Sequence, residues 1–114
     1  MAEVTKATYW QRGETIDYKN ETESPIEAGT ILELGDAIGV AGELISPGGL
    51  GSAHIEGVFR VPKEAEEIAL GKVVYLKKDS GKATADKGED NVRLGHSVAK
   101  AESADAEVLV KINV

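Results

Sequence analysis

Cysteine is absent from this 114-residue chain. That excludes disulfides, thiol nucleophiles and Cys-ligated zinc, while saying little about compartment. Aromatic residues are almost absent too, with one Trp, one Phe and three Tyr. The core must therefore be built from Val, Ile, Leu and Ala. Positive charge is in deficit: 13 Lys and Arg stand against 20 Asp and Glu, a formal net charge of −7. No cluster of Lys or Arg offsets this, so nucleic acid and anionic membrane surfaces are disfavoured as partners. No apolar run approaches the length of a membrane span, and the opening MAEVTKATYWQRG lacks an apolar signal core. Synthesis in a host cytoplasm is the expectation.

The chemical motifs of common enzymes are missing as well. Gly71-Lys72 and Gly81-Lys82 lack the upstream glycine and the following Ser or Thr of a phosphate-binding loop. Gly48-Gly49-Leu50-Gly51 has no βαβ context for dinucleotide binding. His54 and His96 stand alone, without a second His at ligand spacing, and are expected to be strand or surface residues. Asp86-Lys87-Gly88-Glu89-Asp90-Asn91 is acid-rich but lacks the order of a Ca²⁺ loop, so a solvated turn is expected. No serine has a Gly-x-Ser-x-Gly neighbourhood, and His96-Ser97, adjacent on a strand, would point to opposite faces. No cofactor, metal site or catalytic group is expected, and the chain is not expected to be an enzyme.

What the chain does contain is short alternating segments punctuated by 13 glycines. Thr15–Lys19, Ile31–Leu34 and Ala37–Ala41 read as strands, as do Ile55–Val61 and Val92–Val98. Val73–Leu76 is apolar at every position, the pattern of a strand covered on both faces. Val108, Val110, Ile112 and Val114 against Leu109, Lys111 and Asn113 give the clearest period of two. Pro62 through Gly71 (PKEAEEIALG) breaks the rhythm. Its leading Pro, early Glu residues and closing Gly predict a short helix near 63–70, pinned by Ile68 and Leu70. Ser46–Ser52 and Lys77–Asn91 read as exposed loops, the second holding an edge strand at Lys82–Ala85. The predicted fold is all-β, a small β-barrel or sandwich forming one domain over 13–114, with an extended N-terminal arm over 1–12.

The arm carries the only Trp, in Tyr9-Trp10-Gln11-Arg12. Trp is favoured at interface hot spots, and an extended arm can add as a strand to another subunit's sheet. Two readings stay open at Trp10: an anchor on a partner surface, or a side chain docked on its own core.

In order along the chain, several segments resemble the bacteriophage capsid cement, or head decoration, family. This family was formerly known only as a domain of unknown function and was sometimes mislabelled as recombinases. The resemblance starts at Tyr9-Trp10-Gln11-Arg12-Gly13 and the Gly-x-x-Ile-Asp-Tyr-x-Asn series from Gly13 to Asn20. It runs through Ile26–Gly29, Ile38–Ala41, Glu56–Phe59, Val61–Lys63, Leu70–Tyr75 and Leu94–Ala99 to Val108–Val114. It implies a β-barrel-like structural virion subunit on the outside of the phage head, locking major capsid proteins together, and a homotrimer. It implies no catalytic residues, and the missing phosphate loop contradicts a recombinase. On this view Tyr9, Trp10, Gln11 and Arg12 are the candidate capsid or oligomer contact. The competing possibilities are another phage component, such as a tail-tube or head-fibre protein, or a surface- or glycan-binding module using the Gly48–Gly51 loop. A scarcity of aromatics for sugar stacking weighs against the last.

Overall fold

A computed structural model describes residues 4–114. Nine strands follow one another: β1 (Thr15–Lys19), β2 (Ile31–Leu34), β3 (Ala37–Ala41), β4 (Leu50–His54), β5 (Val58–Pro62), β6 (Val73–Lys77), β7 (Lys82–Thr84), β8 (Val92–Ser97) and β9 (Glu107–Ile112). They form two antiparallel sheets. The first, in the order β1-β4-β3-β2, uses the N-terminal half; the second, in the order β5-β9-β8-β6-β7, uses the C-terminal half. The all-β class holds. Neither sheet closes into a barrel, although a single parallel bridge between Lys63 and Ala83 draws the outer strands of the second sheet toward each other.

Alternation explains most strands. In β9, Val108, Val110 and Ile112 are buried while Glu107, Leu109 and Lys111 face outward. In β8 the alternation fails at one place. Val74 pairs with Gly95 but Tyr75 pairs with Arg93, so Leu94 is an extra residue on that strand, a β-bulge. Leu94 and Gly95 are consequently both buried, and Ser97 rather than Val98 turns inward. Gly95 admits no other residue, because a Cβ there would lie 2.0 Å from the Lys111 carbonyl oxygen on β9.

The core is aliphatic, as the scarcity of aromatics requires. Its main cluster joins Val61, Val74, Leu94, Val108, Val110 and Ile112 of the second sheet to Ile38 and Val40 of β3. Ala41 of β3 belongs to a second cluster with Leu32, Ile45 and Ala53 of the first sheet. β3 is thus buried on both faces and serves both cores. Each fully buried aliphatic side chain contributes roughly 1.5–3 kcal/mol, so this shared strand is the mechanical joint of the molecule.

Two asparagines complete the frame. Asn20, fully buried, donates from Nδ2 to the carbonyls of Ser24 (2.8 Å) and Ile45 (2.9 Å). Its Oδ1 accepts from the Thr22 amide (2.9 Å) and hydroxyl (2.6 Å), which fills every hydrogen-bonding position of the amide. Asn113 sits at φ 62°, a left-handed conformation that Asn tolerates better than most residues. Its Oδ1 accepts from the Ile38 amide at 2.9 Å, and its Nδ2 donates to the carbonyls of Ile38 and Ile55, both at 2.8 Å. One side chain thereby imitates a strand partner for β3 and clamps the end of β9 to the first sheet.

The expected helix near 63–70 does not form. Pro62 ends the edge strand β5, opposite Glu107, where its missing N–H costs nothing. The chain beyond it finds backbone partners in its neighbours: the Glu64 amide donates to Ala83, and Ile68 pairs with Ala101 in both directions. So short a helix is marginal without tertiary support, and these bonds outcompete it. Ile68 is buried as expected, whereas Leu70 is exposed. Glu66, read as a helix-start residue, instead accepts from the Thr84 hydroxyl (2.6 Å) and the Ala85 amide (2.8 Å) at the end of β7. Lys63 is buried, its ammonium donating to the carbonyls of Glu64 (3.0 Å) and Asp105 (3.1 Å).

The loop over Ser46–Ser52 needs a second correction. Its latter half begins β4, a central strand between β1 and β3. Its former half is tied to Asn20 by amide–carbonyl bonds at Gly48 (2.7 Å) and Gly49 (2.9 Å). Gly51 is required there, since a Cβ would meet Ile45 Cγ1 at 2.5 Å. The edge strand within Lys77–Asn91 is present as β7.

Gly95→Ala is expected to cost about 3 kcal/mol or more, because the obstructing atom is backbone on the neighbouring strand. Equilibrium urea unfolding measures it, and a midpoint equal to that of the parent would refute the packing described. Asn113→Ala and Asn113→Gly both remove the clamp and should each cost about 2–4 kcal/mol. The Gly variant should recover about 1 kcal/mol of that loss, because it accepts a positive φ. Hydrogen exchange at the Ile38 amide should accelerate in both; unchanged protection would remove Asn113 from the joint.

Candidate functional site

Residues 4–12 precede β1 without regular structure, and every one is exposed. Tyr9 is 81% and Trp10 88% accessible, so Trp10 is not docked on the core of its own chain. Gln11 and Arg12 are exposed beside them. Arg12 reaches only Glu14, at 2.7 Å in an open ion pair of the kind that contributes under about 1 kcal/mol. The remainder of the proposed arm, residues 1–3, lies outside the described residues. The four residues singled out in the sequence therefore share one short solvated segment. Two of them, Tyr9 and Trp10, present large aromatic side chains to solvent.

Where the two sheets meet, an apolar cavity of about 160 Å³ opens. Ile31, Ile38 and Val40 of the first sheet line it, with Val61, Leu94 and Ile112 of the second. Phe59, Arg60 and Pro62 of β5 add to the wall, Arg60 and Pro62 being exposed. Phe59 also packs against His54, ring centroids 5.9 Å apart and tilted by 50°. Ile31 and Phe59 are half-buried and Arg60 exposed, so the opening is reached from solvent. No sequence signal marked this feature, because its walls come from strands far apart in the chain and exist only once the sheets are joined.

The groups that could carry chemistry are dispersed or committed to structure. His54 packs at a tilt against Phe59, and His96 sits within β8 opposite Val73 and Lys111. The Ser97 hydroxyl donates to the Ala69 carbonyl (2.5 Å) and accepts from the Lys72 amide (3.0 Å), a structural role. Among the described residues, no three His, Asp or Glu side chains converge as metal ligands. The acid-rich turn at 86–91 closes on itself through Gly88 to Asp86 Oδ1 (3.0 Å) and Asn91 to the Asp86 carbonyl (2.9 Å). Glu102, hydrogen-bonded to Lys100 at 3.3 Å, raises that ammonium above its ordinary pKa, with Glu67 adding to the field. Both side chains are exposed, so this is a surface pair. Among the described residues no helix is long and apolar enough to cross a membrane.

The surface available to a partner is therefore the aromatic arm, the groove at the sheet junction, and free strand edges. β1 and β2 border the first sheet and are each paired on one side only. Such edges offer unpaired N–H and C=O groups to an incoming strand.

The chain matches no curated protein and no solved structure. Residues 10–112 do match the phage cement protein family, a span that begins at Trp10 and ends with β9. That span takes in both sheets and the joint between them, and with it the chain belongs to the phage cement protein family, a family of phage structural proteins.

Proposed function

We propose that this protein is a capsid cement subunit that binds the outside of an assembled phage head and stabilises contacts between major capsid proteins. Residues 13–114 act as one rigid body and residues 1–12 as its contact arm. The subunit works as a homotrimer, made in the host cytoplasm and carried on the virion. The observation that supports this most directly is the pairing of family membership over 10–112 with an arm whose Tyr9 and Trp10 stand exposed among the described residues.

The physics is consistent with such a task. Among the described residues every buried side-chain polar atom has a hydrogen-bond partner, so the body asks for nothing from outside. Apolar side chains instead remain at the surface in the arm and at Leu44, Leu50 and Leu70. A net charge of −7 is no handicap on the exterior of a shell, away from the packaged genome. Interfaces of roughly 800 Å² per partner suffice for specific binding. Several weak contacts made at once by one oligomer hold far more tightly than any alone.

The test is co-sedimentation with capsids of matched maturation states. Binding should saturate on expanded heads and be absent on immature ones. Deleting residues 1–12 should abolish binding while shifting folding stability by less than about 0.5 kcal/mol, since residues 4–12 are exposed throughout. Failure to bind any capsid form would overturn the proposal, and unfolding of the truncated chain would show the arm to be core structure.

A further inference from the structure

We infer that Trp10 of one copy inserts into the sheet-junction groove of a second copy, so that the arm is first of all a subunit-to-subunit link. This rests on the proposal that the arm is a contact element, and it names the partner as the chain itself.

Size points to the occupant. The groove holds about 160 Å³, well below the roughly 300–1,000 Å³ of pockets for small-molecule ligands. It is close to the apolar cavity of about 150 Å³ that takes up a single benzene ring. Its walls are aliphatic apart from Phe59 and the Arg60 side chain, whose guanidinium can lie over an aromatic face. The fitting ligand is one aromatic side chain. Among the described residues the exposed aromatics are Tyr9 and Trp10.

Geometry favours a second copy over the arm's own body, on which Tyr9 and Trp10 stay exposed. Adjacent side chains in an extended segment point to opposite sides, so Tyr9 and Trp10 cannot both be covered by one surface. An arm lying between two bodies covers both. Residues 1–12 carry Lys6 and Arg12 against Glu3, whereas the chain as a whole has a net charge of −7. The arm is therefore compatible with an acidic body, and the same attraction holds for its own body and for another copy's. An arm-into-groove contact uses two different patches, so it must close into a ring to give a finite assembly.

Trp10 is the only Trp, which makes its fluorescence a reporter of its own surroundings. The full chain, free of capsids, is examined by sedimentation equilibrium and Trp emission over a concentration series. Closed oligomers of a 12.0 kDa chain are expected, with emission moving to shorter wavelength as they assemble. Trp10→Ala should weaken self-association by about thirtyfold or more, as for a hot-spot residue. Ile31→Arg should weaken it from the groove side, and Arg60→Glu provides a second groove variant at an exposed position that does not threaten the fold. A monomer at every concentration would overturn the inference, and blue-shifted emission from that monomer would mean that the arm folds back on its own groove. Oligomers whose Trp10 emission stays that of a solvated indole, or oligomers unaffected by all three substitutions, would also overturn the inference. Because no capsid is present, failure here leaves the capsid-binding result standing, and loss of capsid binding with intact oligomers would fail the cement proposal alone.

Discussion

The structure depends on how two small sheets are kept together. The second sheet supplies most of the main core and the first a smaller one, and the joint between them is β3, buried on both faces, with Ile38 and Val40 in one cluster and Ala41 in the other. A strand covered on both sides needs its backbone satisfied along both edges. Asn113 supplies part of what is needed, presenting its side-chain amide to Ile38 as a strand would. The Glu33–Lys78 pair also crosses between the sheets, but at 3.6 Å and half exposed it contributes little beside the core and the clamp. Removing Asn113 would leave backbone groups at the joint without partners, which is worse than never having had the clamp.

That joint also creates the groove. Two twisted sheets meeting at one strand cannot be complementary everywhere, and the gap falls between β2–β3 and β5, where no large side chain fills it. A protein with a fuller complement of aromatics could have closed this gap from within. Here the one Trp is in the arm instead. The division between a body with satisfied polar groups and an arm with unsatisfied apolar ones is what an assembling subunit requires.

Strands with one wet face were legible in the sequence because the pleat translates directly into alternation; β9 is the clearest case. The aliphatic core and the edge strand β7 were legible for similar reasons. The helix over 63–70 was misread because Pro, Glu and Gly placement is a local signal. The bonds that decide that segment come from Ala83 and Ala101, which are close in space and distant in sequence. β4 was hidden for the opposite reason. Its small residues look like a loop, yet Gly51 and Ala53 are small because Ile45 and the second core press against them.

By itself, then, the amino-acid sequence determined the all-β class, the absence of the familiar catalytic motifs, the resemblance to cement proteins and the peculiarity of Tyr9-Trp10. Each follows from residue identity or from a period of two, neither of which needs to know what lies across the fold. Only the tertiary structure decided that Gly95 must be glycine, that Asn113 is a clamp, that residues 63–70 are not helical and that a groove of one aromatic's size lies at the junction. All four are set by atoms on different strands that meet only in the fold, and no local pattern encodes which strand will be across the gap.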